Sequence, residues 1–180
     1  MTNRAWLVVD MTYDFVANDG ALTCGARGQA IVDPLLTSLN EARSQGDLIV
    51  FACDAHEPDD AEFRLWPQHC VKGTRGASLF GPLADFYDRY RSDSVVFLPK
   101  TRYDAFYETR LEEWLKANAI AEVVIAGVCT SICCYATASG AYYRGYDVFI
   151  DPNLMADLTE DNHTFAIDHM KNVLKAQLKG

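Results

Sequence analysis

No stretch of this sequence is apolar for long enough to cross a bilayer, which takes about 20 residues. The opening segment, MTNRAWLVVDMTYDF, lacks the long apolar core of a secretory leader and runs straight into charge. Basic residues are in the minority: 16 Lys and Arg stand against 25 Asp and Glu, a formal net charge of −9. They are scattered, and a surface of this sign repels phosphate backbones, which excludes nucleic acid as a partner. Regular cysteine spacing is missing too. The six cysteines form no disulfide framework, and a chain of 180 residues can build its core without one. Internal repeats, linkers and low-complexity tracts are absent. These absences lead us to expect one domain, residues 1–180, in the cytoplasm, with no membrane contact and its thiols reduced.

What is present is an alternation. Short apolar runs at 5–10 (AWLVVD), 48–54 (LIVFACD), 94–100 (SVVFLPK), 122–128 (EVVIAGV) and 147–151 (DVFID) read as buried strands. Between and after them lie helical patterns. Residues 29–46 place Ile31, Leu35, Leu39 and Ala42 near helical spacing, with Pro34 early and Gly46 as a left-handed stop. Residues 109–118 open with Thr109 and Glu112 as a capping box. A third helix runs from Ser131 to about Tyr143, stopped near Gly145. The last, from Thr159 to Leu178, puts Ile167, Met170, Val173, Leu174 and Leu178 on one side. Residues 55–93 show no clear period and read as a long functional loop. Strands apolar on both faces, separated by helices, predict an α/β fold with a mostly parallel sheet covered on both sides.

In such sheets ligands bind beyond the carboxyl ends of the strands. Four strands here end in reactive groups: Asp10, then Asp54 with His56, then Lys100, then a turn bearing Cys129, Cys133 and Cys134. Asp54, His56, Glu62 and His69 offer two imidazoles and two carboxylates, a set suited to Zn²⁺, Fe²⁺ or Mn²⁺. The competing reading is a solvated acidic loop. Cys133 falls in the first turn of a helix, where unpaired N–H groups and a nearby Lys100 would lower its pKa. With Asp10 as acid and base, this makes a nucleophile, a cation and a proton carrier. The turn Val128-Cys129-Thr130 would offer N–H groups to an oxyanion. The competing reading makes all three cysteines small core residues: it is preferred for Cys129 and Cys134, and for Cys133 the residues alone leave it level with the nucleophile reading.

These residues, taken in order, resemble a known family. LVVDMTYDF, CDAH…E…LWPQHCVKGTRGASLFGPL, PKTRYDAF, AGVCTSICCYATA and DNHTFAIDHMKNVL look like the nicotinamidases of the isochorismatase-like cysteine hydrolases. The resemblance spans nearly the whole chain. It implies a Rossmann-like three-layer α/β/α sandwich that converts nicotinamide to nicotinate and ammonia through a cysteine thioester, in NAD salvage. It implies Cys133 as nucleophile, with Asp10 and Lys100 completing the catalytic set. Asp54, His56, Glu62 and His69 become ligands of a divalent metal, Zn²⁺ first and Fe²⁺ or Mn²⁺ next, which orients the pyridine ring. The oxyanion hole becomes the N–H groups of Cys129 and Cys133, beside a cis peptide between Val128 and Cys129. Phe15, Leu22, Trp66 and Tyr103 become the cage around the ring. A homo-oligomer is implied, and pyrazinamide as a further substrate. The chain departs from the family pattern at Ser131, Cys129 and Cys134. The rival readings are a related hydrolase of N-carbamoyl, ureido or isochorismate substrates, a non-catalytic metal or thiol protein, and an inactive paralogue.

Overall fold

The computed structural model describes residues 3–179. Six strands form one sheet: β1 (Arg4–Val9), β2 (Leu48–Asp54), β3 (Val95–Lys100), β4 (Glu122–Val128), β5 (Asp147–Ala156) and β6 (Gln177–Leu178). Every pairing is parallel, and the order is β3-β2-β1-β4-β5-β6. The helices are α1 (Tyr13–Val16), α2 (Ala26–Ala30), α3 (Val32–Gln45), α4 (Pro82–Tyr90), α5 (Leu111–Ala117), α6 (Tyr135–Tyr143) and α7 (Glu160–Asn172). Among the described residues no helix is long and apolar enough to cross a membrane.

The strands are apolar on both faces because both faces are covered. Along β1, Ala5, Leu7 and Val9 join a core shared with Leu111 and Leu115 of α5, Ala138 of α6 and Met170 of α7. Trp6 and Val8 point the other way, into a core with Leu35 and Leu39 of α3 and Leu83 and Phe86 of α4. The result is the expected three-layer α/β sandwich, with an all-parallel sheet. The chain leaves β1 toward β2 on one side, while β4 pairs with β1 on the other. That reversal opens a crevice at the carboxyl ends of β1 and β4. Gly127 allows the two strands to close there. Its φ is +117°, and a Cβ would lie 2.0 Å from the Val9 carbonyl oxygen.

The structure corrects several boundaries. The helix expected over 29–46 is two helices meeting at Ile31. Its stop is as expected: Gly46 is left-handed, and its N–H donates to Ala42 and Arg43 carbonyls. The capping box is not formed. Thr109 Oγ1 accepts from the Leu111 N–H at 3.3 Å, whereas Glu112 turns to Lys116 and Arg144. The long loop contains α4, a short helix with a proline first turn whose buried anchors are only Leu83 and Phe86. The fifth strand continues past Pro152 to Ala156, because a register shift against β4 absorbs the break. The last helix ends at Asn172. Lys175 takes φ +57° and turns the chain so that Gln177 and Leu178 add the edge strand β6.

Candidate active site

The charged half of the site is built by strand ends. Lys100, closing β3, is fully buried and donates to Asp10 Oδ2 at 2.7 Å, Asp54 Oδ1 at 2.5 Å and the Arg102 carbonyl at 3.1 Å. Its three donors are thereby used. Asp10, just past β1, adopts φ +53° and accepts from the Asp54 N–H at 2.8 Å through Oδ1. Asp10 and Asp54 thus flank one ammonium, and their environments push them apart. Burial first, and the Asp54 charge second, raise Asp10 to about 6. Burial pushes Asp54 the same way, but Lys100 and the two histidines hold it well below the usual carboxylate range. Of the two, Asp10 is the one that takes up a proton first.

The free oxygen of Asp54 faces two imidazoles. His56 Nε2 lies 3.4 Å and His69 Nε2 3.7 Å from Asp54 Oδ2. Each ring uses its other nitrogen elsewhere: His56 Nδ1 meets Asp60 Oδ2 at 3.0 Å, and His69 Nδ1 meets the Pro67 carbonyl at 2.8 Å. Carboxylate or carbonyl support behind each ring, with Nε2 turned inward, is the arrangement of metal-binding histidines. His56 Nε2 is buried without a hydrogen-bond partner, an atom that calls for a ligand. Ligand atoms of Asp54, His56 and His69 all fall within 4.8 Å of one another. These residues fit a divalent metal such as Zn²⁺. Glu62 is buried on the adjoining turn but is not part of this close group. Its carboxylate lies 3.7 Å from Arg102 Nε.

The thiol half hangs from β4. The peptide between Val128 and Cys129 is cis. Residues Thr130–Cys134 then form a π-type turn before α6, with the Cys134 N–H donating to the Cys129 carbonyl at 3.2 Å. Cys133 is buried in this turn and lines the same cavity as Asp10. Its pKa is raised, not lowered as the helix-terminus reading expected. Burial comes first, and the charges of Asp10 and Asp54 outweigh that of Lys100. Cys134 is fully buried in the core, as read.

A cavity of about 360 Å³ joins the two halves. Asp10, Asp54, His69, Cys129 and Cys133 line it, and so do Phe15, Leu22, Trp66 and Tyr103. Trp66 Nε1 donates to Tyr103 Oη at 2.8 Å, linking the two half-exposed rings at the mouth. Phe15 packs on His69 with ring centroids 5.4 Å apart.

Several supports escaped the sequence reading. Asp157, buried at the end of β5, accepts the Ser131 N–H at 2.6 Å and the Leu158 N–H at 2.8 Å. His163 of α7 shares a hydrogen bond of 2.8 Å with Thr130 Oγ1. Together they tie the π-type turn to β5 and α7. Asp60 is held to about 2 by the Glu62 N–H, then by His56. Its signal was the four-residue spacing from His56, hidden in a loop dense with acids. Ile132 and Leu158 add apolar wall.

The chain has counterparts among known proteins. The nicotinamidase/pyrazinamidase PncA of Bacillus subtilis is similar at 38% identity, covering 99% of this chain and 100% of that one, with a TM-score of 0.96. The pyrazinamidase/nicotinamidase of Streptococcus mutans is similar at 39% identity over 98% and 99% of the two chains, TM-score 0.95. The pyrazinamidase of Pyrococcus horikoshii, solved in complex with zinc, matches at 27% identity over 99% of each chain, TM-score 0.87. Residues 4–178 match the Isochorismatase domain, and the chain belongs to that family.

Proposed function

We propose that this protein is an amidohydrolase that converts nicotinamide to nicotinate and ammonia, with pyrazinamide as an alternative substrate. The observation that carries the reading is the convergence of a buried thiol, Cys133, and a lysine-bound carboxylate, Asp10, on one cavity lined by aromatic rings. The similar Bacillus and Streptococcus structures bear nicotinamidase and pyrazinamidase names, which supports the same chemistry here. The cavity lies within the range of about 300–1,000 Å³ that suits a small molecule.

The raised pKa of Cys133 means that the resting nucleophile is a thiol. Asp10 therefore takes the Sγ proton as sulfur attacks the amide carbon. Lys100 keeps Asp10 in place and offsets the charge passing between them. The N–H groups of Cys129 and Cys133 receive the oxyanion. When the C–N bond breaks, Asp10 returns the proton to nitrogen and ammonia leaves. A thioester on Cys133 remains. Asp10 then takes a proton from water, whose oxygen adds to the thioester carbon. The S–C bond breaks, the proton on Asp10 goes back to sulfur, and nicotinic acid departs and loses its carboxyl proton to solvent as nicotinate.

Asp54, His56 and His69 would hold the metal, with Glu62 as a fourth donor once released from Arg102. The bound ion would supply a Lewis-acid anchor for the ring nitrogen. Zinc is the first choice, given the zinc-bound Pyrococcus relative, with Fe²⁺ and Mn²⁺ next. Phe15, Leu22, Trp66 and Tyr103 clamp the ring. The imidazole pair also sets this reading apart from the N-carbamoyl and ureido hydrolases, whose chemistry needs no pyridine anchor. The test is ammonia release from nicotinamide by the purified chain, with and without a chelator. Release that falls on chelation is expected. No release from metal-loaded protein would sink the proposal.

A further inference from the structure

Cys24 and Cys129 are 105 positions apart in sequence, yet their sulfurs lie 3.2 Å from each other. It is the one hydrogen bond between two sulfurs among the described residues, and both cysteines are free. We propose that this pair is a modification site: a hydroperoxide oxidises it to a disulfide, and the disulfide closes down the adjoining cavity.

The pair sits where an oxidant can arrive and where a bond would matter. Cys129 lines the cavity, as do Leu22 and Thr23 just before Cys24. Each cysteine is 7% exposed. Neither sulfur is free to drift away. The Cys24 N–H donates to the Phe15 carbonyl at 2.9 Å, and Gly28 leaves its Cα against Cys24, where an added Cβ would come within 3.3 Å of the Cys24 Cβ. The Cys129 carbonyl accepts from the Ile132 and Cys134 N–H groups. Cys129 also holds its proton tightly, first because that proton is shared with Cys24 and second through burial. Either sulfur can be the S–H donor of the pair, and the oxidation balances equally with the two cysteines exchanged.

The oxidation balances with hydrogen peroxide alone. Cys24 Sγ attacks one peroxide oxygen, the O–O bond breaks, and water leaves with the Cys24 proton, giving a sulfenic acid. Cys129 Sγ then attacks Cys24 Sγ. The S–O bond breaks, and the departing hydroxide takes the Cys129 proton as a second water. Two thiols lose two electrons, and one peroxide becomes two waters. The sulfurs must approach from 3.2 Å to about 2.05 Å. That movement pulls the Cys129 peptide and the 20–25 segment together, across the wall of the cavity. The loss of turnover that follows rests on the proposed role of the Cys129 N–H. Misplacing such a donor by about 1 Å lowers turnover on the order of 100-fold.

The experiment treats the full purified chain with hydrogen peroxide, blocks remaining thiols with iodoacetamide and maps the peptides. Nicotinamide turnover is followed alongside, before oxidation, after it, and after dithiothreitol. A linked Cys24–Cys129 peptide is expected, with turnover down about 100-fold and restored by dithiothreitol. Cys24→Ser should keep its turnover at the peroxide dose that silences the parent. Oxidation of Cys133 with no linked peptide would overturn the proposal. So would a linked peptide with turnover intact, or a Cys24→Ser chain that is silenced at the same dose. If the reduced chain never releases ammonia from nicotinamide, the proposed function fails, and the linked peptide alone then decides whether the disulfide forms.

Discussion

At the ends of β1, β2 and β3 the site is made of side-chain charge, whereas at the end of β4 it is made of backbone shape. The first side packs Asp10, Asp54 and Lys100, all nearly inaccessible, into one ion cluster with two imidazoles behind it. The second side has a cis peptide, a π-type turn and a thiol, held by Asp157 and His163 from other elements. The charged side tolerates burial because the Lys100 ammonium is paired with both the Asp10 and Asp54 carboxylates. The thiol side tolerates an unusual turn because neighbouring strands and helices hold it from outside. One side should therefore fail through unpaired charge, and the other through lost geometry.

The largest effect should come from the point where the two sides meet. Cys133→Ala should lower turnover by about four orders of magnitude or more while leaving metal content and thermal unfolding near the parent. A variant with appreciable turnover would remove Cys133 from the mechanism. Lys100→Met tests the charged side. Removing the ammonium strands two buried carboxylates, and unfolding by urea should show a loss of about 3–5 kcal/mol. A loss under about 1 kcal/mol would mean that the cluster is not held by charge pairing. His56→Ala should empty the metal site by elemental analysis and raise KM about 100-fold, with the thiol side unchanged in its reaction with iodoacetamide. Altered alkylation would show that the two sides are not independent. The smallest effect belongs to the thiol side's support. Asp157→Asn keeps one acceptor oxygen for two N–H donors, and kcat should fall about tenfold with KM little changed. A change confined to KM would place Asp157 in ring binding instead.

That contrast also explains what was readable beforehand. Asp10, Asp54, His56 and Lys100 announced themselves because short apolar runs end at or just before them, whereas Cys133, in the turn after such a run, was singled out from its neighbouring cysteines only by the whole pattern. The ring-cage residues and the cis peptide were reached through family likeness, not from spacing. Asp157 and His163 gave no local sign. Each acts on a turn 26 or 33 positions earlier in the chain. The pKa of Cys133 was misjudged because a helix terminus was weighed without the burial of the thiol first, and without the charges of Asp10 and Asp54 second. The helix α4 was missed because nine residues with two core anchors leave too weak a period to see.

By itself the sequence determined the α/β architecture, since strands apolar on both faces need cover on both faces, and it determined which reactive side chains end those strands. Only the tertiary structure decided their relations. It divided one lysine between two carboxylates, turned both imidazole Nε2 atoms toward Asp54 and set Cys24 against Cys129. The physical reason is that residue type follows local burial and periodicity, while proton affinity and contact depend on partners that only folding brings together.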